Sequence, residues 1–338
     1  MKILIEVHHP AHVHFFKNPV RIWQSHGHEI LILGRDRGVI PLLLQVYNLP
    51  YEIISKQSLG RFPLNELFKR NMALARKIKS FKPDVVLSLM GVYTQAAKIK
   101  GIRNIIFTDS EFQNLAHLIA HPFASYIVTP ACFYKSLGPK QVRYNGYHEL
   151  SYLAPKYFKA DETKLKIEGL NKTDDFFILR LSAWDTWHDV KQRGIGQKVC
   201  LELINLLGKN GRVLISAEGE APADLKKYLV KSPPQDLHHL LAFAKLVISE
   251  GATIASEAAV LGVPSIFINT TDRGYINELA SRYQLAFYFK TPDGLIDQVT
   301  KLLENNNLQQ EWQIKRNQML GEKEDVVEFV VKFIENLN

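Results

Sequence analysis

Four histidines crowd one short stretch of the chain. His8, His9, His12 and His14 follow the apolar run Lys2–Val7 at once, with Pro10 among them. Imidazoles gathered at the end of a first strand support two kinds of chemistry. One of them, at a helix start, can act as a general base toward a hydroxyl. Alternatively, His12 and His14 with His8 or His9 can bind zinc or another divalent cation. Pro10 ahead of the pair and Phe15, Phe16, Val20 and Trp23 after it place His12 and His14 on a helix. Side chains two residues apart on a helix diverge by about 200°, a poor geometry for chelation. A base or ligand-contacting histidine is therefore preferred, no metal is expected, and helix capping is the structural alternative.

A second constellation lies in Val247–Pro264. A buried strand ends at Ser249, Gly251 permits a tight turn, and Thr253 can open a helix. The free N–H groups and the dipole of such a helix start suit a diphosphate, with Gly251, Ala252 and Thr253 closest to it. Glu257, one turn further, can accept hydrogen bonds from two ribose hydroxyls. The plainer alternative is a strand–turn–helix with Glu257 as a solvated charge. Upstream, Arg180-Leu181-Ser182-Ala183-Trp184-Asp185 offers a hydroxyl and a guanidinium to phosphate through Ser182 and Arg180. Trp184, Trp187 and His188 either line the same site or cap a sheet edge.

Other candidates stand at strand ends. Gly91, between a strand and a helix, can present N–H groups to an acceptor phosphate or serve as a turn glycine. Asp109 and Glu111 follow the next strand, where paired carboxylates can act as acid, base or sugar-hydroxyl acceptor. His148 and Glu149 either line a cleft or belong to a solvated linker. Asp236, ahead of His238 and His239, suits the first turn of a helix without any ligand.

These residues need a scaffold, and the chain alternates short β runs with amphipathic helical runs, the mark of parallel sheets covered on both faces. Strands are expected at Lys2–Val7, His28–Leu33, Tyr51–Ile54, Asp84–Leu89, Arg103–Thr108 and Ser125–Val128, with helices including His12–Ser25, Leu64–Phe81 and Gln113–Ala120. The period breaks between Asn145 and Asp175, so residues 1–158 and 159–338 form two domains. In the second, Phe176–Ser182, Arg212–Ala217, Leu246–Ser249, Ser265–Asn269 and Leu285–Phe289 are strands, among helices near Lys191–Gly208, Pro234–Ala244, Thr253–Leu261, Arg273–Tyr283 and Asp293–Glu304. The last helix, with Val326, Val327, Val330, Val331 and Ile334 at helical spacing, packs back on the first domain in this reading. Two successive α/β halves place ligands at the strands' carboxyl ends, in the inter-domain cleft.

The totals agree. The 338 residues suit two domains rather than one core. A composition 46% hydrophobic and 22% charged excludes wholesale disorder. The net charge of +8 fits an anionic ligand, an anionic membrane surface or no special partner. Lys and Arg are dispersed without a basic stripe, which argues against nucleic acid. Cys132 and Cys200 are expected as buried free thiols. No signal peptide or spanning run is evident, so a cytoplasmic location is expected.

The Gly251–Glu257 segment resembles the nucleotide-sugar signature of GT-B glycosyltransferases, in particular the N-acetylglucosaminyltransferase of the peptidoglycan lipid pathway. There the pattern is Ser-Gly-Ala, four further residues, then the acidic residue that holds the ribose; Gly251, Ala252, Ser256 and Glu257 match it. Asp272-Arg273-Gly274-Tyr275-Ile276-Asn277-Glu278 resembles the donor-sugar loop, with Arg273 and Gly274 where that family carries glutamines. The spacing from His12 to Gly27 matches the family's first helix, which implies His12 as the base and His14 as second choice. Departures are His8, His9 and Pro10 in place of a Gly-rich loop, and Arg180–Asp185 in place of a Gly-Gly-Ser turn.

Over most of its length the chain more closely resembles an uncharacterised GT-B-like family of archaea and bacteria. Pro-Ala-His-Val-His-Phe-Phe (Pro10–Phe16), Gly34–Arg37, Asp109-Ser110-Glu111, Tyr144–Glu149 and Gly251–Glu257 carry that likeness. The resemblance implies a GT-B fold of two Rossmann-like domains. The likeness to the peptidoglycan-type glycosyltransferases implies an inverting, metal-independent glycosyltransferase that takes a UDP-sugar as substrate, with no cofactor, in cell-surface glycan or polysaccharide synthesis. Glu257 would hold the ribose, Arg273, Tyr275 and Asn277 the sugar, and the acceptor would be a glycan or lipid-linked. Aromatics near Phe15 and Phe16 on a basic face would give peripheral contact with the inner face of the plasma membrane. The rivals are a UDP-sugar 2-epimerase of the same architecture, using Asp109, Glu111 and the histidines, and a non-catalytic glycan- or partner-binding module.

Overall fold

The computed structural model of the chain describes residues 1–56, 63–91, 94–181, 195–217 and 221–337. They form two compact units, one of Met1–Tyr152 with the chain from Glu324 onward, the other of Leu153–Lys323.

The first unit runs β1 (Lys2–Val7), α1 (Pro10–Ser25), β2 (Glu29–Asp36), α2 (Ile40–Val46), β3 (Tyr51–Lys56), α3 (Pro63–Phe81), β4 (Val85–Ser88), α4 (Thr94–Ile99), β5 (Arg103–Phe107), α5 (Asn114–Ala120), β6 (Tyr126–Pro130) and β7 (Gln141–Tyr144), closing on the short α6 (Leu150–Leu153). Its seven strands are parallel, in the order β3-β2-β1-β4-β5-β6-β7. Strand order reverses between β1 and β4, so the loops after these two strands part to opposite sides and leave a crevice at their carboxyl ends. The apolar Ile3, Leu4, Ile5 and Val7 of β1 are buried because helices cover both faces of the sheet.

Helix α1 begins at Pro10, two residues before the start expected from the sequence; proline is tolerated there because a first-turn N–H has no helical partner. His9 caps the helix, its Nδ1 accepting from the Ala11 N–H at 3.2 Å. Phe15 and Phe16 are 0% exposed and pack on Phe107. They belong to the core, so the expectation that they touch a membrane is corrected: their apolar area is already spent on folding. β7, Gln141-Val-Arg-Tyr144, has no apolar run and is not legible as a strand; pairing with β6 makes it one.

The second unit runs β8 (Phe176–Leu181), α7 (Gln197–Gly208), β9 (Arg212–Ala217), α8 (Leu237–Phe243), β10 (Leu246–Ser249), α9 (Ala252–Val260), β11 (Ser265–Ile268), α10 (Gly274–Ser281), β12 (Ala286–Phe289), α11 (Leu295–Leu303) and α12 (Leu308–Glu322). Its five parallel strands are ordered β12-β11-β10-β8-β9, with the reversal between β8 and β10. α9 is Ala-rich and largely buried. Its exposed-carbonyl end is satisfied by α12: Arg316 Nε donates to Val260 O at 2.8 Å and Gln313 Nε2 to Gly262 O at 3.1 Å. The opposite end of α9 stands at the reversal point.

α13 (Val326–Glu335) then joins the first unit, burying the stripe Val326, Val327, Val330, Val331 and Ile334. Asp325 caps it by accepting from the Glu328 N–H at 3.0 Å. Cys200 is buried, its thiol pushed up to about 12 by burial and then by Glu250, whereas Cys132 is only half-buried. Among the described residues no helix is long and apolar enough to cross a membrane.

Candidate functional site

Both sets of chemistry-bearing residues fall at the reversal point of their own sheet. In the first unit the strand period puts Glu6 and His8 on the same side of the extended chain, and His8 Nδ1 lies 2.6 Å from Glu6 Oε1. A carboxylate inside an apolar strand needs such a partner. His12, on the first turn of α1, sits edge-on to His8 with ring centroids 4.5 Å apart. From the end of β5 Asp109 reaches His148, Oδ2 to Nδ1 at 3.1 Å, while its Oδ1 accepts from the Ser110 hydroxyl at 2.9 Å. The His148 ring rests against Phe15, centroids 4.7 Å apart.

The charges of this cluster are set by burial and by neighbours. Burial first, then His8, His9, His148 and Arg37, hold the His12 pKa well below 6.5, so its ring stays neutral. Burial also opposes charge on His148, but Asp109, through its charge and its hydrogen bond, and Glu149 outweigh it and raise that pKa. Two neighbouring imidazoles are thus pushed in opposite directions, one poised to accept a proton and the other to carry one. Three buried atoms of the cluster, Glu6 Oε2, His12 Nδ1 and His148 Nε2, have no hydrogen-bond partner within the chain. Folded proteins leave few such atoms, and three together suit a hydroxyl-rich ligand.

His14 points elsewhere. Its Nδ1 lies 3.3 Å from the Tyr47 hydroxyl and its ring stacks on Tyr152 at 5.3 Å, the divergence expected of helix positions two apart. Glu111 is fully buried and accepts from the Tyr134 N–H at 3.4 Å, while Asp109 turns to His148; the expected carboxylate pair is instead a carboxylate–imidazole pair. Glu149 and His148 are buried within the first unit, which rules out a solvated linker. Gly91 is a turn glycine: φ is +68°, its N–H donates to Ser88 Oγ at 2.9 Å, and its carbonyl accepts from the Thr94 hydroxyl at 2.9 Å. That N–H is used internally; Val92 and Tyr93, whose N–H groups would share the expected phosphate role, lie outside the described residues.

In the second unit the turn after β10 carries the nucleotide candidates. Ser249 Oγ holds the turn, accepting from the Gly251 N–H at 3.0 Å and donating to the Gly251 carbonyl at 2.7 Å. Gly251 is the N-cap of α9, and no side chain caps the helix, so Ala252 and Thr253 open a first turn whose N–H groups face outward from the strand end. Arg180, beside Ser249 in the sheet, donates from Nη1 to Ser216 Oγ at 2.9 Å. Asn269 ties the loop after β11 to the same turn: Nδ2 donates to Glu250 O at 3.0 Å, and Oδ1 accepts from the Thr271 N–H and hydroxyl.

Glu257 is 2% exposed, with Oε1 2.9 Å from His238 Nε2. It is not the solvated charge of the plainer reading. Arg273 is the N-cap residue of α10 and donates to Thr271 Oγ1 at 3.0 Å; Asn277 Nδ2 donates to Asp272 Oδ1 at 2.5 Å. Tyr275 is 4% exposed, packed inside the unit rather than presented on its surface. Asp236 precedes α8 and pairs with Lys164 at 3.3 Å. Ser182, Trp184, Trp187 and His188 lie outside the described residues.

Sequence reasoning missed Glu6, Ser249 and Asn269, and did not join Asp109 to His148 or Glu257 to His238. A lone carboxylate in an apolar strand was the available signal for Glu6. No local signal exists for the two cross-chain pairs.

The family model described as "Protein of unknown function (DUF354)" matches residues 1–336. A UDP-N-acetylglucosamine–N-acetylmuramyl-(pentapeptide) pyrophosphoryl-undecaprenol N-acetylglucosamine transferase of Desulforamulus reducens is 26% identical over 268 residues, 71% of this chain and 70% of that protein. Among solved structures, the UDP-GlcNAc 2-epimerase of Methanocaldococcus jannaschii in complex with UDP-GlcNAc and UDP aligns with a TM-score of 0.67 at 15% identity, covering 94% of this chain and 99% of that one. A Streptomyces glycosyltransferase aligns with a TM-score of 0.62 at 12% identity, covering 99% of each. At such identities the structural likeness establishes the fold alone, an α/β architecture of the GT-B kind with two parallel sheets.

Proposed function

The chain belongs to the DUF354 family of unknown function, and from that premise we propose that it is a UDP-sugar-dependent enzyme, a glycosyltransferase of the inverting, metal-independent kind. The observation that carries this reading is the unmet polar cluster of Glu6, His12 and His148 at the strand-order reversal of the first sheet. The matching reversal in the second sheet holds the α9 start and Glu257. The transferase relative, whose name gives a UDP-N-acetylglucosamine donor and a lipid-linked acceptor, supports it.

In this reading the α9 N–H groups take the diphosphate and offset the charge that develops as UDP departs. Glu257 accepts from the ribose hydroxyls, with His238 holding its carboxylate in place. Neutral His12 takes the proton of the acceptor hydroxyl as its oxygen bonds to the anomeric carbon and the bond to UDP breaks. The acceptor is a glycan or a lipid-linked sugar, and the protein works on the cytoplasmic side of a cell-surface glycan pathway.

One observation favours a second reading. An epimerase needs an acid beside its base, and the opposite pKa shifts of His12 and His148 provide that pair without an acceptor. Calorimetry with UDP and UDP-N-acetylglucosamine, on wild type and Glu257→Ala, tests the shared premise. Binding lost in the variant supports it; no binding at millimolar ligand sinks both readings. Incubating the UDP-sugar without acceptor then separates them, because an epimerase changes the sugar's stereochemistry and a transferase leaves it unaltered.

A further inference from the structure

His26 and His28 stand two residues apart like His12 and His14, but their imidazoles converge. α1 ends at Ser25, His26 is its C-cap, and Gly27 follows at φ +80°, the left-handed turn that glycine adopts without cost. The His28 N–H returns to the Trp23 carbonyl at 2.9 Å, which folds the chain back over the helix end. Both rings then face one carboxylate from α13. His26 Nδ1 lies 2.7 Å and His28 Nε2 3.1 Å from the same Oε1 of Glu335. The three ligand atoms lie within 4.8 Å of one another, and among the described residues no other such group of three metal-ligating side chains occurs.

From this convergence we propose that His26, His28 and Glu335 bind a divalent transition-metal ion of the zinc class. Two neutral imidazole nitrogens and a carboxylate oxygen are a ligand set that zinc accepts, with water in the fourth position. Zinc bonds of about 2.0–2.2 Å set tetrahedral ligand atoms about 3.3 Å apart, close to the 2.7 and 3.1 Å of the two contacts to Glu335. The last carbonyls of α1 place partial negative charge beside His26, which also favours a cation.

The site joins the end of α1, the approach to β2 and the last turn of α13, so a bound ion clamps the chain's final helix to its first unit. It lies outside the cluster assigned to catalysis and is independent of the proposed reaction.

The test is zinc chloride titrated calorimetrically into the full chain, beside His26→Gln/His28→Gln and Glu335→Gln, each checked for folding by near-ultraviolet circular dichroism. The expected result is one zinc site in wild type, weakened in each variant by more than the roughly 10- to 100-fold that loss of an outer partner costs. Zinc should also raise the wild-type melting temperature and leave that of the double variant unchanged. Cobalt substituted for zinc should show tetrahedral d–d absorption in wild type alone. Equal zinc binding by wild type and double variant would place the ion elsewhere, and no binding in wild type would leave a plain ion pair; either overturns the proposal.

Discussion

Asp109 Oδ2 and His148 Nδ1 lie 3.1 Å apart at the end of β5, and the pairing leaves His148 Nε2 buried without a partner in the chain. A carboxylate on one ring nitrogen fixes the tautomer and orientation of the other, the nitrogen that can meet a ligand.

Asp109→Asn removes the charge that raises the His148 pKa. Its midpoint, followed by NMR of the ring protons, should fall. In wild type the raised pKa contributes stability that is full below 6.5 and is lost as pH rises through the folded value. The stability deficit of Asp109→Asn, measured by urea unfolding, should therefore grow as pH falls. A deficit independent of pH would mean that the pair is not ionic.

His12 carries the opposite sign. Its lowered pKa means that below 6.5 the unfolded chain binds a proton that the folded chain refuses, so stability falls with pH. His12→Gln should remove that loss and make the protein relatively more stable in acid than wild type. Turnover should drop by about 10²–10⁴-fold, the usual contribution of a general base. Unchanged turnover would take His12 out of the chemistry and leave it a packing residue.

The architecture was legible because strands and helices alternate with clear periods, and the Ser249–Gly262 segment announced a strand, a turn and a helix in its own residue types. The chemistry was half legible. His12 and Glu257 each stand out locally, but what tunes them is set by tertiary contact: His148 arrives from beyond β7 and His238 from α8. β7 has no pattern of its own and exists through its neighbour. Phe15 and Phe16 could be surface or core on sequence alone, since a helix buried nearly all round has no polar stripe to orient it.

Glu257 and His238 give a prediction for the second unit. A carboxylate holding a ribose through charged hydrogen bonds contributes about 1.5–3 kcal/mol, so Glu257→Gln should weaken UDP roughly 10- to 100-fold by calorimetry. His238→Ala should cost less affinity but lower the melting temperature, because it removes the buried partner of a buried carboxylate. If His238→Ala abolishes binding while Glu257→Gln does not, the histidine rather than the glutamate contacts the nucleotide.

Gly91 tests whether the turn after β4 is a fixed part of the scaffold. Its φ of +68° strains any L side chain, and an added Cβ would lie 2.3 Å from Ile106 Cδ1 and 2.6 Å from its Cγ1. The left-handed backbone costs about 1–2 kcal/mol and overpacking against the β5 side chain about 1–3 kcal/mol more. Gly91→Ala should thus lower unfolding free energy by roughly 2–5 kcal/mol in urea, with the slope unchanged. Met90, which faces His8, sits beside this turn, so the same substitution should disturb the histidine cluster and shift the ring-proton resonances of His8 in NMR spectra. Restoring space with Ile106→Val should recover part of the overpacking loss and none of the backbone strain. Full recovery would show the clash with Cδ1 to be the whole cost, and no recovery would leave the backbone and the Cγ1 contact that valine retains as the cost.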